Sequence, residues 1–277
     1  MNYSNLSVLL LRSLDKQKPV DSWGNLSYAT DCNNLGRGMS SRLRPLTEDR
    51  PKCLLPVGPK AILDWQLEAL QSVGVQDLIV VVGYRKEMIQ EHIANHHPSF
   101  SVRYVENLAF DRTNTLFSLK EAMLVWDGDF YYMNADVVYD KRILQRLAPG
   151  LVGGFLAIDK KQCRDEEVKV IVRDGRISEI GKHLNPDICE GEFIGVAKFT
   201  GDFVRRFRQQ VLDLAVAGNE MKFFEYALDA MADKSDMIPV DITGLPCVEI
   251  DFPEDYAFAT EQVVRHLVDN EEESTHV

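Results

Sequence analysis

Between residues 61 and 139 the chain alternates two hydrophobic patterns, and few folds can accommodate both. In "AILDWQLEALQSVGV", Leu63, Leu67, Leu70 and Gly74 recur at helical spacing with polar residues between them. The segment runs into "DLIVVVGY", a continuous apolar stretch of the kind buried on both faces of a sheet. The same alternation returns in "KEMIQEHIAN" (helix), "SVRYV" (strand), "TNTLFSLKEAMLVW" (helix, with Leu116, Leu119 and Met123 on one face) and "DFYYMNAD" (strand). Strands separated by helices of this length predict a doubly wound α/β fold with a mainly parallel sheet covered on both sides.

After Pro149 the pattern changes. "LVGGFLAI", "EEVKVIV", "RISEI" and "FIGVAKFT" read as strands with little helix between them, and Asp174-Gly175 is a hairpin signal, so a small antiparallel extension is expected here. Helices return in "GDFVRRFRQQVLDLAV" and "KFFEYALDAMAD", followed by the short strands "MIPVDI" and "PCVEI" and a last helix starting near Pro253.

The 277 residues carry a formal charge of -12, which opposes any general attraction to nucleic acid or anionic membrane. Phosphate chemistry must therefore be local. Five scattered cysteines without a Cys-x-x-Cys pair suit reduced thiols in a cytoplasmic protein. "SVLLL" is too short for a membrane span. "HIANHH" sets His92 and His96 four residues apart, but no acidic or cysteine partner accompanies them, so no metal site is expected there.

Against this acidic background, "LGRGMSSRLRPLTEDRPKCLLPVG" gathers glycines, serines, arginines and a lysine just before the first confident helix. Ligands of open α/β sheets bind beyond the carboxyl ends of the strands. Glycines there let backbone N–H groups approach a phosphate, and Arg42, Arg44 and Lys52 can neutralise a polyphosphate. A solvated basic loop capping a helix would have the same composition. Neither a dinucleotide fingerprint nor a Walker loop fits, because Ser41 stands where a third glycine is required and no Gly-Lys-Ser/Thr follows. Asp136 lies just past the strand "FYYM" and Asp251 just past "CVEI". Converging from two strand ends, these carboxylates can share one Mg²⁺ with phosphate oxygens, although each alone could equally be a turn residue or helix cap.

The string "GMSSRLRPLTEDRPKCLLPVGPKAILDWQLEAL" closely resembles the signature of the nucleotidyltransferases that make nucleoside diphosphate sugars and CDP-alcohols. The resemblance continues through "VVVGY", "NADVVYD", "GEFIGVAKF" and "EIDFPEDY" and covers about residues 33 to 262. It implies a Rossmann-like nucleotidyltransferase domain over residues 31–265, with an N-terminal extension (1–30) and a polar acidic tail (266–277) outside it. It also implies Mg²⁺-dependent transfer of a nucleoside monophosphate from a nucleoside triphosphate to a small phosphorylated substrate, with release of pyrophosphate.

Carried over residue by residue, Lys52 lies near the α-phosphate, Arg42 near the leaving pyrophosphate, and Lys182 grips the incoming phosphate. Leu35, Gly36, Gly38, Ser40, Ser41, Gly83, Thr113 and Asn114 contact the nucleotide, Glu192 the substrate, and Asp136 and Asp251 the metal. The Thr-Asn-Thr-x-x-Ser-Leu form of residues 113–119 is more like the phosphocholine-type cytidylyltransferases, which favours CTP and makes phosphocholine the first acceptor to consider. A sugar 1-phosphate acceptor is the alternative. No nucleic-acid or membrane partner is implied, and a homodimer is compatible with the resemblance. A quaternary ammonium acceptor would need an aromatic cage. Trp65, Trp126, Tyr131, Tyr132, Tyr139 and Phe193 are available by type, though most sit in packing patterns.

The match breaks at the first strand. "CNNLGRG" puts Asn33 and Asn34 where the family has an apolar run, and Ser40 replaces the second glycine of its Gly-x-Gly-x-Arg form. Either the loop tolerates these changes and the enzyme works, or the chain is a noncatalytic relative that keeps the fold; the preceding segment either contributes a substitute strand through "SVLLL" or is a disordered extension. Retention of Arg42, Lys52, Asp136, Lys182 and Asp251 favours activity.

Overall fold

The computed structural model describes residues 8–12, 41–149 and 152–268, with the backbone alone for 8–12 and Ser41. The first described element is strand β1 (Val8–Arg12). The hairpin β2 (Pro56–Val57) and β3 (Lys60–Ala61) then leads into helix α1 (Ile62–Ser72). The predicted alternation follows: β4 (Asp77–Val82), α2 (Lys86–His96), β5 (Ser101–Glu106), α3 (Thr115–Met123), β6 (Phe130–Met133), β7 (Val137–Tyr139) and α4 (Arg142–Leu147). The strand-rich part comprises β8 (Gly154–Asp159), β9 (Lys169–Arg173), β10 (Arg176–Gly181) and β11 (Gly191–Phe199). Helices α5 (Asp202–Val216) and α6 (Glu225–Asp229), strands β12 (Met237–Asp241) and β13 (Cys247–Glu249) and helix α7 (Pro253–Phe258) complete it.

The main sheet runs β10-β9-β11-β6-β1-β4-β5, with β8 beside β11 and β12 beside β8. Among its described pairings only β4·β5 and β8·β12 are parallel, which corrects the expectation of a mainly parallel sheet. The cause is β1. It fills the central slot between β4 and β6 and runs antiparallel to both, pairing Leu10 with Ile79 on one side and Tyr132 on the other. Strands β4, β5 and β6 therefore still share one direction, as in a doubly wound sheet, while the strand between them is reversed. The "SVLLL" segment does supply a central strand.

Period-two burial explains why "FYYM" is apolar throughout: Phe130 and Tyr132 face one core, Tyr131 and Met133 the other. The first core packs α3, α5 and α6 against the sheet. Phe199, Phe203 and Phe207 form a ring cluster with centroids 4.9–6.0 Å apart. The second core packs α1, α2 and α4. Asp174 and Gly175 have φ of 50° and 75°, as the predicted hairpin turn between β9 and β10 requires. No helix among the described residues is long and apolar enough to cross a membrane.

Candidate active site

The site is assembled by a two-stranded ladder outside the main sheet. β7 and β13 pair antiparallel with Glu249 opposite Val137, and the Ile250 amide donates to the Asp136 carbonyl at 3.0 Å. This register lays Asp136 beside Asp251 although they are far apart in sequence. Two anchors fix the Asp136 loop. The Gln66 amide donates to the carbonyls of Asn134 and Val137, both at 2.8 Å. Gly195, at φ 74°, lies so close to Asn134 that no Cβ would fit between them. The Asp251 loop is held by Asp255, whose carboxylate accepts from the amides of Asp251 and Phe252 at 3.0 and 2.8 Å. Asp255 lies in the first turn of α7, where its negative charge also suits the helix N-terminus.

Lys52 enters from a 3₁₀ turn, Lys52–Leu54, and is 7% exposed. Its ammonium donates to Asp136 Oδ2 and Asp251 Oδ1, each at 2.8 Å. Burial opposes the charged lysine, but the two carboxylates outweigh it and hold its pKa above the usual value. Burial also opposes ionisation of Asp251, and there the attraction of Lys52, with Lys182 and Arg42, prevails and lowers the pKa. Asp136 Oδ1 is buried with no hydrogen-bond partner among the described residues. Lys52, Asp136 and Asp251 are thus brought together as the sequence suggested.

Glu249 was not foreseen. Its carboxylate groups with those of Asp136 and Asp251, with one oxygen from each within 4.8 Å of the others. Burial and these neighbours push its pKa well above the ordinary carboxylate range. A signal was present, because residues i and i+2 of an extended strand point the same way and Glu249 precedes Asp251 by two. Glu225 was also missed. It is buried at the start of α6 with Oε2 unpartnered among the described residues, and burial pushes its pKa up to about 7.

Beyond the carboxylates lies a cleft of about 610 Å³ lined by Lys182, Glu192, Glu249 and Asp251, among others. Its lining carboxylates outnumber its lysines and arginines nine to three. Lys182 follows β10, with its ammonium 5.2 Å from the Phe223 ring centre. Glu192 is ion-paired with Lys161 at 2.6 Å. Arg42 is exposed, its guanidinium 4.6 Å from the centre of the Phe252 ring.

The other predicted nucleotide contacts have internal duties. Asn114 caps α3 by accepting from the Thr115 amide at 2.8 Å, and the Thr113 hydroxyl donates to the Ala109 carbonyl at 2.7 Å. Gly83 sits against the Phe110 ring, leaving no room for a Cβ. Leu35, Gly36, Gly38 and Ser40 lie outside the described residues, as does the side chain of Ser41. None of the six candidate cage aromatics lines the cleft. Tyr132, for example, stacks on Phe224 in the core with centroids 3.8 Å apart.

Residues 35–149 match the nucleotidyl transferase family model. The chain is 29% identical to a CTP:phosphoglutamine cytidylyltransferase of Campylobacter jejuni over 80% of its own length and 95% of the relative's. It is 26% identical to the choline-phosphate cytidylyltransferase of Streptococcus pneumoniae, over 80% and 93% respectively. The solved CTP:phosphocholine cytidylyltransferase of S. pneumoniae superposes with a TM-score of 0.68 at 22% identity, covering 80% of this chain and 93% of that one.

Proposed function

We propose that this chain, a nucleotidyltransferase carrying the nucleotidyl transferase domain at residues 35–149, moves CMP from CTP to a small phosphorylated amine and releases pyrophosphate. The observation that carries this reading is Lys52 clamped between Asp136 and Asp251 at the edge of a cleft that also holds Lys182. A cation among carboxylates beside a second cation is what two mutually repelling phosphate groups need in order to meet.

A hard divalent cation fits here. Asp136 offers an orphaned buried oxygen, and Asp251 and Glu249 add oxygen donors of the kind Mg²⁺ prefers. When bound, Mg²⁺ would neutralise charge building on the transferring phosphoryl group. The protein's own work is alignment. Lys182 holds the acceptor phosphate, an oxygen of which attacks the α-phosphorus of CTP. That P–O bond forms as the bond from the α-phosphorus to the bridging oxygen breaks, and the electron pair leaves with pyrophosphate. Lys52 balances negative charge at the α-phosphate, and Arg42 does so at the leaving group. Asn114 and Thr113 stand where the resemblance places the base. No side-chain nucleophile is required, because the acceptor phosphate already is one.

The acidic cleft favours an acceptor with a protonated amine. Glu192 and its neighbours can receive ammonium hydrogen bonds, whereas a quaternary ammonium donates none and would depend on the two aromatic side chains of the lining, Phe252 and Phe258. The curated relatives act on phosphoglutamine and choline phosphate, both phosphorylated and both nitrogen-bearing. The test is pyrophosphate release with Mg²⁺, each nucleoside triphosphate being paired with phosphoethanolamine, phosphocholine, a phosphorylated amino-acid amide and several sugar 1-phosphates. Release confined to CTP with a phosphorylated amine supports the proposal. Preference for a sugar 1-phosphate or another triphosphate refutes it.

A further inference from the structure

Asp64 joins two histidines, five residues apart, from a different part of the sequence. Its Oδ1 lies 2.6 Å from His92 Nε2 and 2.7 Å from His97 Nε2. Its other oxygen accepts the Ala61 amide at 2.8 Å, which locks the carboxylate at the start of α1. His92 is on α2 and His97 immediately follows it, so the cluster bridges the two helices. The side chains are 13%, 19% and 10% exposed in the order Asp64, His92, His97: sheltered, yet reachable from solvent. One ligand atom from each lies within 4.8 Å of the others. None of the three lines the acidic cleft, and the proposed reaction uses none of them.

We infer that Asp64, His92 and His97 form a second metal site, selective for a borderline divalent transition ion such as Zn²⁺. Two imidazole nitrogens and one carboxylate oxygen, with water in a fourth position, make a tetrahedral set that suits Zn²⁺ and disfavours Mg²⁺. The compact hydrogen-bonded arrangement is close to what binding requires. Bonds of about 2.0–2.1 Å in tetrahedral geometry separate ligand atoms by roughly 3.3 Å, so the carboxylate and imidazoles need to part by well under 1 Å. The Ala61 amide on the non-ligating oxygen supplies the kind of outer hydrogen bond that orients a ligating carboxylate. The adjacent His96 stands outside the cluster: its ring stacks on that of His92, centroids 4.3 Å apart, and offers no nitrogen to the group formed by the other three. The pair that matters is therefore His92 and His97, not the i, i+4 pair visible in the sequence.

The test is calorimetric titration of the full-length protein with Zn²⁺ in excess Mg²⁺, which occupies the catalytic carboxylates, followed by thermal melting. The expected result is one Zn²⁺ per chain and a raised Tm. His97→Gln and His92→Gln should each weaken binding by at least about tenfold, while the neighbouring His96→Gln leaves it intact. Co²⁺ in place of Zn²⁺ should give the intense visible absorption of a tetrahedral ion, and Asp64→Asn should diminish it. Absence of stoichiometric binding by the wild-type protein overturns the inference, as does binding that survives both His92→Gln and His97→Gln. Should one histidine variant fail to fold, the other and the Co²⁺ spectrum of the wild type still decide.

Discussion

Two charge clusters in this molecule are mirror images in design. One places a cation, Lys52, between two carboxylates; the other places a carboxylate, Asp64, between two imidazoles. The first is built across 84 and 199 residues of sequence from buried or partly buried groups, and it leaves an oxygen of Asp136 without a partner among the described residues. The second spans 28 and 33 residues, and the same Oδ1 of Asp64 meets both rings. The difference is in what each cluster still wants. Oxygen donors with spare negative charge call for a hard cation and a polyphosphate, whereas imidazoles around a single carboxylate call for a softer ion or for nothing beyond themselves.

Replacing the central residue of the first cluster should give the largest effect. Lys52→Met should lower kcat by about a thousandfold or more in pyrophosphate release, because it removes charge at the transferring phosphoryl and leaves carboxylates unpaired. Lys182→Gln should act on one substrate only. Its acceptor KM should rise roughly a hundredfold with the KM for CTP little changed, and equal rises in both would contradict its placement at the acceptor phosphate.

Glu225 provides a pH test. Its folded pKa is raised to about 7, so the stability associated with its proton is complete below the unfolded value and is lost as pH rises through the folded one. Unfolding free energy should therefore fall by up to roughly 1.4 kcal/mol per pH unit between about pH 4.5 and 7, and Glu225→Gln should flatten that slope in urea titrations. The smallest effect belongs to the second cluster without metal. Asp64→Ala should cost about 2 kcal/mol at neutral pH through lost hydrogen bonds to Ala61, His92 and His97. Burial works against the Asp64 carboxylate, but its histidine and amide partners lower its pKa below the ordinary value. The associated stability is present above the ordinary carboxylate pKa and lost in acid, so the difference between variant and wild type should shrink there.

Much of this was legible in the sequence because it is written locally. Helical spacing of Leu116, Leu119 and Met123, the two-sided apolar run "FYYM" and the Asp174-Gly175 turn each report structure within a few residues. Lys52, Asp136, Lys182 and Asp251 were recognisable as a set only through the family resemblance, since an aspartate after a strand is usually a turn residue. The direction of β1 was not legible: an apolar strand reads the same whichever way it enters a sheet, and pairing partners fix the sense. His97 was passed over because the i, i+4 spacing of His92 and His96 suggested the wrong pair, and the carboxylate that selects His97 comes from another helix. Glu225 gave one weak sign, a charge set among the apolar residues of "KFFEYAL".

The most direct measurement is the initial rate of pyrophosphate release by the wild-type protein and by Asp136→Asn, with CTP, Mg²⁺ and the preferred phosphorylated amine. The arrangement of Lys52, Asp136 and Asp251 predicts turnover by the wild type and a loss of about a thousandfold or more in Asp136→Asn, with the variant still folded by thermal melting. Equal rates in the two proteins, or a wild type inert towards every acceptor tried, would contradict a catalytic role for this cluster.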